Sequence, residues 1–127
     1  MSILTALKQA KGLGSGHNGT HHFIVQRLTA VMLIPLVLYF LYAIILLTGA
    51  KTFADVTHWF ANPFNSGVLI TFLVTAFYHA ALGLQVVIED YIHCEKSKWL
   101  LLIAVRGLGV LFAIIAVVSV LRLALAY

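Results

Sequence analysis

Charge is scarce in this sequence: only 9% of its 127 residues are charged, against about 25% in an ordinary soluble domain. With 62% of residues hydrophobic, a water-soluble fold of this length could not enclose its own apolar surface, so the bilayer is the natural solvent. Cysteine occurs once, at Cys94. That excludes an intrachain disulfide and a thiolate metal cluster built from this chain. With Glu95, Lys96 and Lys98 beside it, Cys94 reads as an unremarkable interfacial thiol. The basic residues Lys8, Lys11, Arg27, Lys51, Lys96, Lys98, Arg106 and Arg122 are scattered between apolar runs. No single basic patch forms, which argues against nucleic acid as a partner and for membrane lipid, with the charges setting orientation. The first 11 residues are too short and too weakly apolar for a signal h-region and lack the composition of a transit peptide. The expectation is a multi-pass protein of a bacterial inner membrane, rather than a mitochondrial one, inserted without processing.

What is there instead is a set of long charge-poor runs. Leu28 to Ala50 carries no charge, nor does Ser66 to Ile88, and Trp99 to Leu121 is interrupted only by Arg106. At about 1.5 Å per residue, about 20 residues span the hydrocarbon core. The expected fold is therefore an all-α membrane protein, a single anchor domain over 1–127. A segment at 1–27 lies outside the membrane, followed by transmembrane helices at 28–50, 66–91 and 99–122. Gly12, Gly14, Gly16 and Gly19 mark the segment before the first span as turn-rich. Pro35 sits inside the first span, Gly49 is placed to end it, and Asn62-Pro63 reads as a turn. Phe53, Trp59 and Phe60 suit a short amphipathic helix in the interface. Lys8, Lys11, Arg27, Lys96 and Lys98 fall on one side, Lys51 and Arg122 on the other, which puts the N-terminus in the cytoplasm.

A few polar residues stand out against this background. His79 lies near the middle of the second span, where an ionisable side chain faces a bundle interior or a site. Neutral imidazole is a common axial ligand of haem iron. A structural histidine bonded to a neighbouring helix accounts for it equally well. At about 100° per residue, Gly83 and Asp90 project onto the His79 face, with Ala76 and Ala80 beside it. Asp90 and Tyr91 close the same helix, Tyr91 about 18 Å along the axis from His79. A tyrosine hydroxyl can donate to a quinone carbonyl and a carboxylate can relay protons, although an interfacial tyrosine and a solvated helix end need no such role. His21, His22 and Arg27 approach the same interface ahead of the first span. Arg27 suits a carboxylate partner such as a haem propionate and equally suits a charge that sets topology. Arg106 is about 10 Å inside the third span, and both snorkelling and a buried anion would satisfy it.

The strings His21-His22-Phe23-Ile24-Val25-Gln26-Arg27-Leu28-Thr29-Ala30 and Phe77-Tyr78-His79-Ala80-Ala81-Leu82-Gly83-Leu84-Gln85-Val86-Val87-Ile88-Glu89-Asp90-Tyr91 together resemble the D-type cytochrome b556 membrane anchors of succinate dehydrogenase, complex II. The second string is the specific one: His-Ala, a glycine four residues after the histidine, then glutamine and Asp-Tyr at fixed spacing. The resemblance implies half of a heterodimeric haem-binding bundle, in which one haem b is shared with a second, C-type cytochrome b anchor. It further implies an iron–sulfur subunit and a flavoprotein subunit, with ubiquinone as the electron acceptor. The complex would serve the tricarboxylic acid cycle and aerobic respiratory electron transport. Under the resemblance His79 is an axial haem ligand, and Tyr91 and Asp90 belong to the quinone site. Arg27 and His21 lie near the haem propionates, while His22 and Arg106 have no fixed role. His22 stands where some relatives carry an acidic residue, so either histidine of the pair can act. With no flavin motif and no cysteine cluster, the subunit would not oxidise succinate by itself. The alternative is a small non-catalytic membrane scaffold or transporter subunit without haem, in which His79 packs or carries protons.

Overall fold

The computed structural model describes residues 15–126, with side chains from residue 20 onward. All regular structure among the described residues is helical: α1 (Ser15–Leu47), α2 (Phe53–Ala61), α3 (Pro63–Tyr91) and α4 (Glu95–Leu125). Three of these are long and apolar enough to cross a membrane, at Thr20–Leu47, Pro63–Tyr91 and Glu95–Leu125. The expected all-α fold with three spans is thus observed.

The helices overrun the charge-free runs at several ends. α1 already includes Gly16 and Gly19, so the second half of the expected turn-rich segment is helical instead. Glycine is a weak helix former, but once a long apolar helix has nucleated, each added residue gains a hydrogen bond without a new nucleation cost. α1 runs through Pro35 and stops at Leu47, short of Ala50. Gly49 N–H donates to the Leu46 carbonyl at 3.1 Å and Ala50 N–H to the Leu47 carbonyl at 3.1 Å. No glycine among the described residues has positive φ, so the helix ends by tightening its last turn rather than by a left-handed cap. α3 starts at Pro63, where the Asn62 side chain accepts from Phe64 N–H at 2.9 Å and proline occupies the first turn. The Asn-Pro pair is therefore a helix start. α4 begins at Glu95, immediately after the short link that follows α3.

α2 fills the connection between the first two spans. It opens on a capping box: Asp55 N–H donates to Thr52 Oγ1 at 3.2 Å, and Thr52 N–H donates to Asp55 Oδ2 at 2.9 Å. Lys51 N–H adds a third bond to the same carboxylate at 3.0 Å. The bond from Thr52 N–H, then the Thr52 side chain and Lys51 N–H, hold the Asp55 carboxyl below the ordinary carboxylate range. A depressed carboxylate pKa contributes stability above the unfolded value and loses it as pH falls through the folded one. Acidification through that range should fray α2, and Asp55→Asn should reproduce the fraying at neutral pH. Faster amide exchange over 53–61 would report it, with α3 and α4 unchanged.

Of the aromatic residues in this connection, Phe53 stays exposed, while Phe60 turns inward and is buried with Leu69 and Val120. Phe40 and Phe72 stack beside this cluster at 4.6 Å between centroids. Tyr39 donates to Asn65 Oδ1 at 2.7 Å and Asn65 Nδ2 donates to the Trp59 carbonyl at 2.9 Å, tying α1, α2 and α3 together. This end of the bundle is braced by both packing and hydrogen bonds. α3 packs against both α1 and α4, which make no comparable contact with each other. Very little of α1 or α4 is buried within the chain, so most of their apolar surface is left for lipid or other subunits.

Candidate functional site

Away from the braced end, a polar contact joins α1 and α3. Thr29, buried on α1, lies with its Oγ1 2.8 Å from Nδ1 of His79 on α3. The same Oγ1 lies 2.9 Å from the Val25 carbonyl and 3.0 Å from the Gln26 carbonyl of its own helix. The neighbouring-helix hydrogen bond that one reading of His79 required therefore exists. It occupies only one ring nitrogen and leaves Nε2 for other chemistry.

Around this contact is a cavity of about 890 Å³, lined in part by His22, Gln26, Arg27, His79, Gly83 and Glu89. Its size is in the range of small-molecule and cofactor sites. Two side-chain atoms, His22 Nε2 and Gln26 Oε1, are buried with no hydrogen-bond partner; buried polar atoms of this kind are normally satisfied. Gly83 keeps the wall thin: a Cβ there would meet Gln26 Nε2 at 3.5 Å, an ordinary contact. Arg27 is exposed, with its guanidinium over the Phe23 ring at 5.2 Å. No three His, Cys, Asp or Glu side chains converge on a metal among the described residues.

The structure brings together part of the set marked by sequence. His79, Arg27 and the uncertain His22 share the cavity, whereas exposed His21 is not among its lining residues. Glu89, rather than Asp90, lines it. Asp90 is exposed and Tyr91 is 76% exposed at the end of α3, so any pocket they serve needs walls from elsewhere. Among the described residues, Arg106 meets a neutral side chain. Its Nη2 donates to Gln85 Oε1 at 2.8 Å, and Gln85 Nε2 donates to Glu89 Oε1 at 2.8 Å. This chain joins α4 to the cavity wall. Arg106→Met would leave the Gln85 oxygen without its charged donor. It should lower the melting temperature of the purified protein, with Arg106→Lys intermediate, as differential scanning would read.

Thr29 has no role that residue type and position alone assign. Its signal was its place two residues after Arg27, as one of two threonines in the first span. Gln26 and Gln85 were missed for a similar reason: glutamine in a helix has no chemistry until its partner is known.

Residues 1–123 match the family model described as succinate dehydrogenase/fumarate reductase transmembrane subunit. Among curated proteins, the chain is 38% identical over 113 residues to a succinate dehydrogenase hydrophobic membrane anchor subunit of Rickettsia bellii, covering 88% of this chain and 89% of that one. Proteins of the same description from Rickettsia prowazekii and Rickettsia conorii are 35% and 36% identical, each match covering 87% of this chain and 85% of the relative. No solved structure gives a significant match.

Proposed function

Because the chain belongs to the succinate dehydrogenase/fumarate reductase transmembrane subunits, we propose that it is the hydrophobic membrane anchor of a succinate:ubiquinone oxidoreductase and shares one haem b with a second anchor subunit. The observation that carries the haem reading is the His79 contact. An imidazole at mid-span, held through Nδ1 by Thr29, keeps Nε2 as its remaining ring nitrogen, and His79 lines a cofactor-sized cavity.

The residues present fit a haem. His79 would hold the iron from this chain, and the partner anchor would supply the second ligand. Gly83 and Ala30 leave room at the wall. Arg27 at the cavity has the charge and fork geometry for a propionate, with His21 nearby in sequence. His22 Nε2 and Gln26 Oε1, which find no partner within the chain, are available to whatever fills the cavity. A bound haem would supply one-electron redox capacity beside the quinone site.

For the quinone, the hydroxyl of Tyr91 donates a hydrogen bond to a carbonyl oxygen of ubiquinone, and Asp90 holds protons beside it. Ubiquinone reduction consumes two electrons and two protons, so a site at the membrane boundary has protons at hand. Both residues are exposed in this chain, in keeping with a pocket completed by the iron–sulfur subunit and the second anchor. A flavoprotein subunit completes the complex. The excess of basic residues at the N-terminal segment and the α3–α4 link puts Tyr91 on the cytoplasmic side of a bacterial inner membrane. A scaffold or transporter subunit without haem gives no reason for a family match that runs from residue 1 to residue 123.

The test is to purify the tagged chain in mild detergent and identify what accompanies it. Flavin and iron–sulfur subunits with a second small anchor are expected; purification without them would overturn the anchor reading. The cavity makes its own prediction. Gly83→Ala should be tolerated, because its Cβ finds ordinary contact distance. Gly83→Leu fills the space beside His79 and should cut the haem-to-flavin ratio by at least half while flavin content stays unchanged.

A further inference from the structure

We propose that Thr29 is a positioning residue for His79, fixing the imidazole as its Nδ1–H tautomer and leaving the Nε2 lone pair free for iron. The inference rests on the reading of His79 as an axial ligand and assigns a role to a residue on the other helix.

Proton bookkeeping supports it. A hydroxyl has one proton, and Thr29 Oγ1 has three neighbours: the Val25 carbonyl at 2.9 Å, the Gln26 carbonyl at 3.0 Å and His79 Nδ1 at 2.8 Å. Both carbonyl oxygens can only accept. If the hydroxyl gave its proton to Nδ1, its lone pairs would face two carbonyl oxygens with no proton between them. If it gives the proton to its own helix, a lone pair is left to accept from Nδ1–H. The second arrangement makes the additional bond and removes the repulsion. Thr29 is buried, so water is poorly placed to substitute. In a helix the threonine side chain settles into the rotamers that allow this back-bond. The acceptor is therefore oriented before any ligand arrives.

A hydrogen-bonded N–H fixes the ring plane of a ligating histidine and raises the basicity of its other nitrogen. A more basic ligand favours ferric over ferrous iron. Thr29→Val removes the oxygen at nearly constant shape, and Thr29→Ser keeps it. In the purified complex, Thr29→Val should raise the haem midpoint potential and weaken haem retention by about 10–100-fold. Thr29→Ser should stay close to wild type in both, and flavin content should show normal assembly throughout. A potential and retention unchanged in Thr29→Val would overturn the inference, as would a serine variant that shifts as far as the valine one. His79→Ala is measured in parallel. If its low-spin spectrum survives, the ligand assignment falls and this inference with it. If that spectrum is lost while Thr29→Val matches wild type, the role of Thr29 alone falls.

Discussion

Replacing His79 with alanine is expected to abolish the low-spin, bis-imidazole b-type spectrum of the assembled complex. One axial nitrogen would remain, from the partner anchor, so any haem retained would be five-coordinate and spectrally distinct. The loss should be of the whole signal rather than a fraction of it, because among the described residues no other histidine is at mid-span: His21 and His22 stand at the start of the first span, His58 in α2 and His93 in the link after α3. The substitution is also structurally mild. Thr29 keeps two backbone carbonyls to donate to at 2.9 and 3.0 Å, so no buried donor is stranded on α1. The aromatic cluster of Phe40, Phe60 and Phe72 is not touched by it. Flavin content should accordingly hold steady while the spectrum disappears. A reduced-minus-oxidised spectrum identical to wild type would contradict the assignment.

Tyr91→Phe is the second large effect. The change removes one oxygen from a residue that is 76% exposed in this chain, so the subunit itself has little packing to lose. A single hydrogen bond to a quinone carbonyl, worth about 1–1.5 kcal/mol, corresponds to about a ten-fold change in rate. Succinate–ubiquinone turnover should fall by about that factor. The haem spectrum and succinate oxidation by a water-soluble dye should remain as they were, since neither requires the hydroxyl. Turnover unchanged with ubiquinone would remove Tyr91 from the site, whatever the fate of the haem assignment.

The spans were legible because lipid imposes a simple rule, long runs without charge, and Leu28 to Ala50 or Ser66 to Ile88 satisfies it with nothing else in the sequence competing. Their ends were less so. Charge marks where lipid stops, whereas a helix continues until its backbone leaves helical geometry, as it does before Pro63, where Asn62 is the N-cap, and after Tyr91, where Ile92 is the C-cap. His79 stood out because imidazole is conspicuous at that depth. Its partner did not, since Thr29 is 50 residues away and helical projection gives a face but not the neighbour that the face meets. The same gap hid Arg106–Gln85–Glu89, where three ordinary polar side chains acquire meaning only by joining α4 to α3. Projection placed Asp90 on the His79 face, yet Glu89 borders the cavity.

The stoichiometry of haem to flavin in the complex purified through this chain tests the central claim most directly. A single mid-span histidine among the described residues, lining the cavity between α1 and α3 and leaving the second iron ligand to a partner, predicts a single haem b per flavin, with a bis-histidine low-spin signature. A complex without haem, or one with two haems per flavin, would contradict the account of this subunit as half of one shared site.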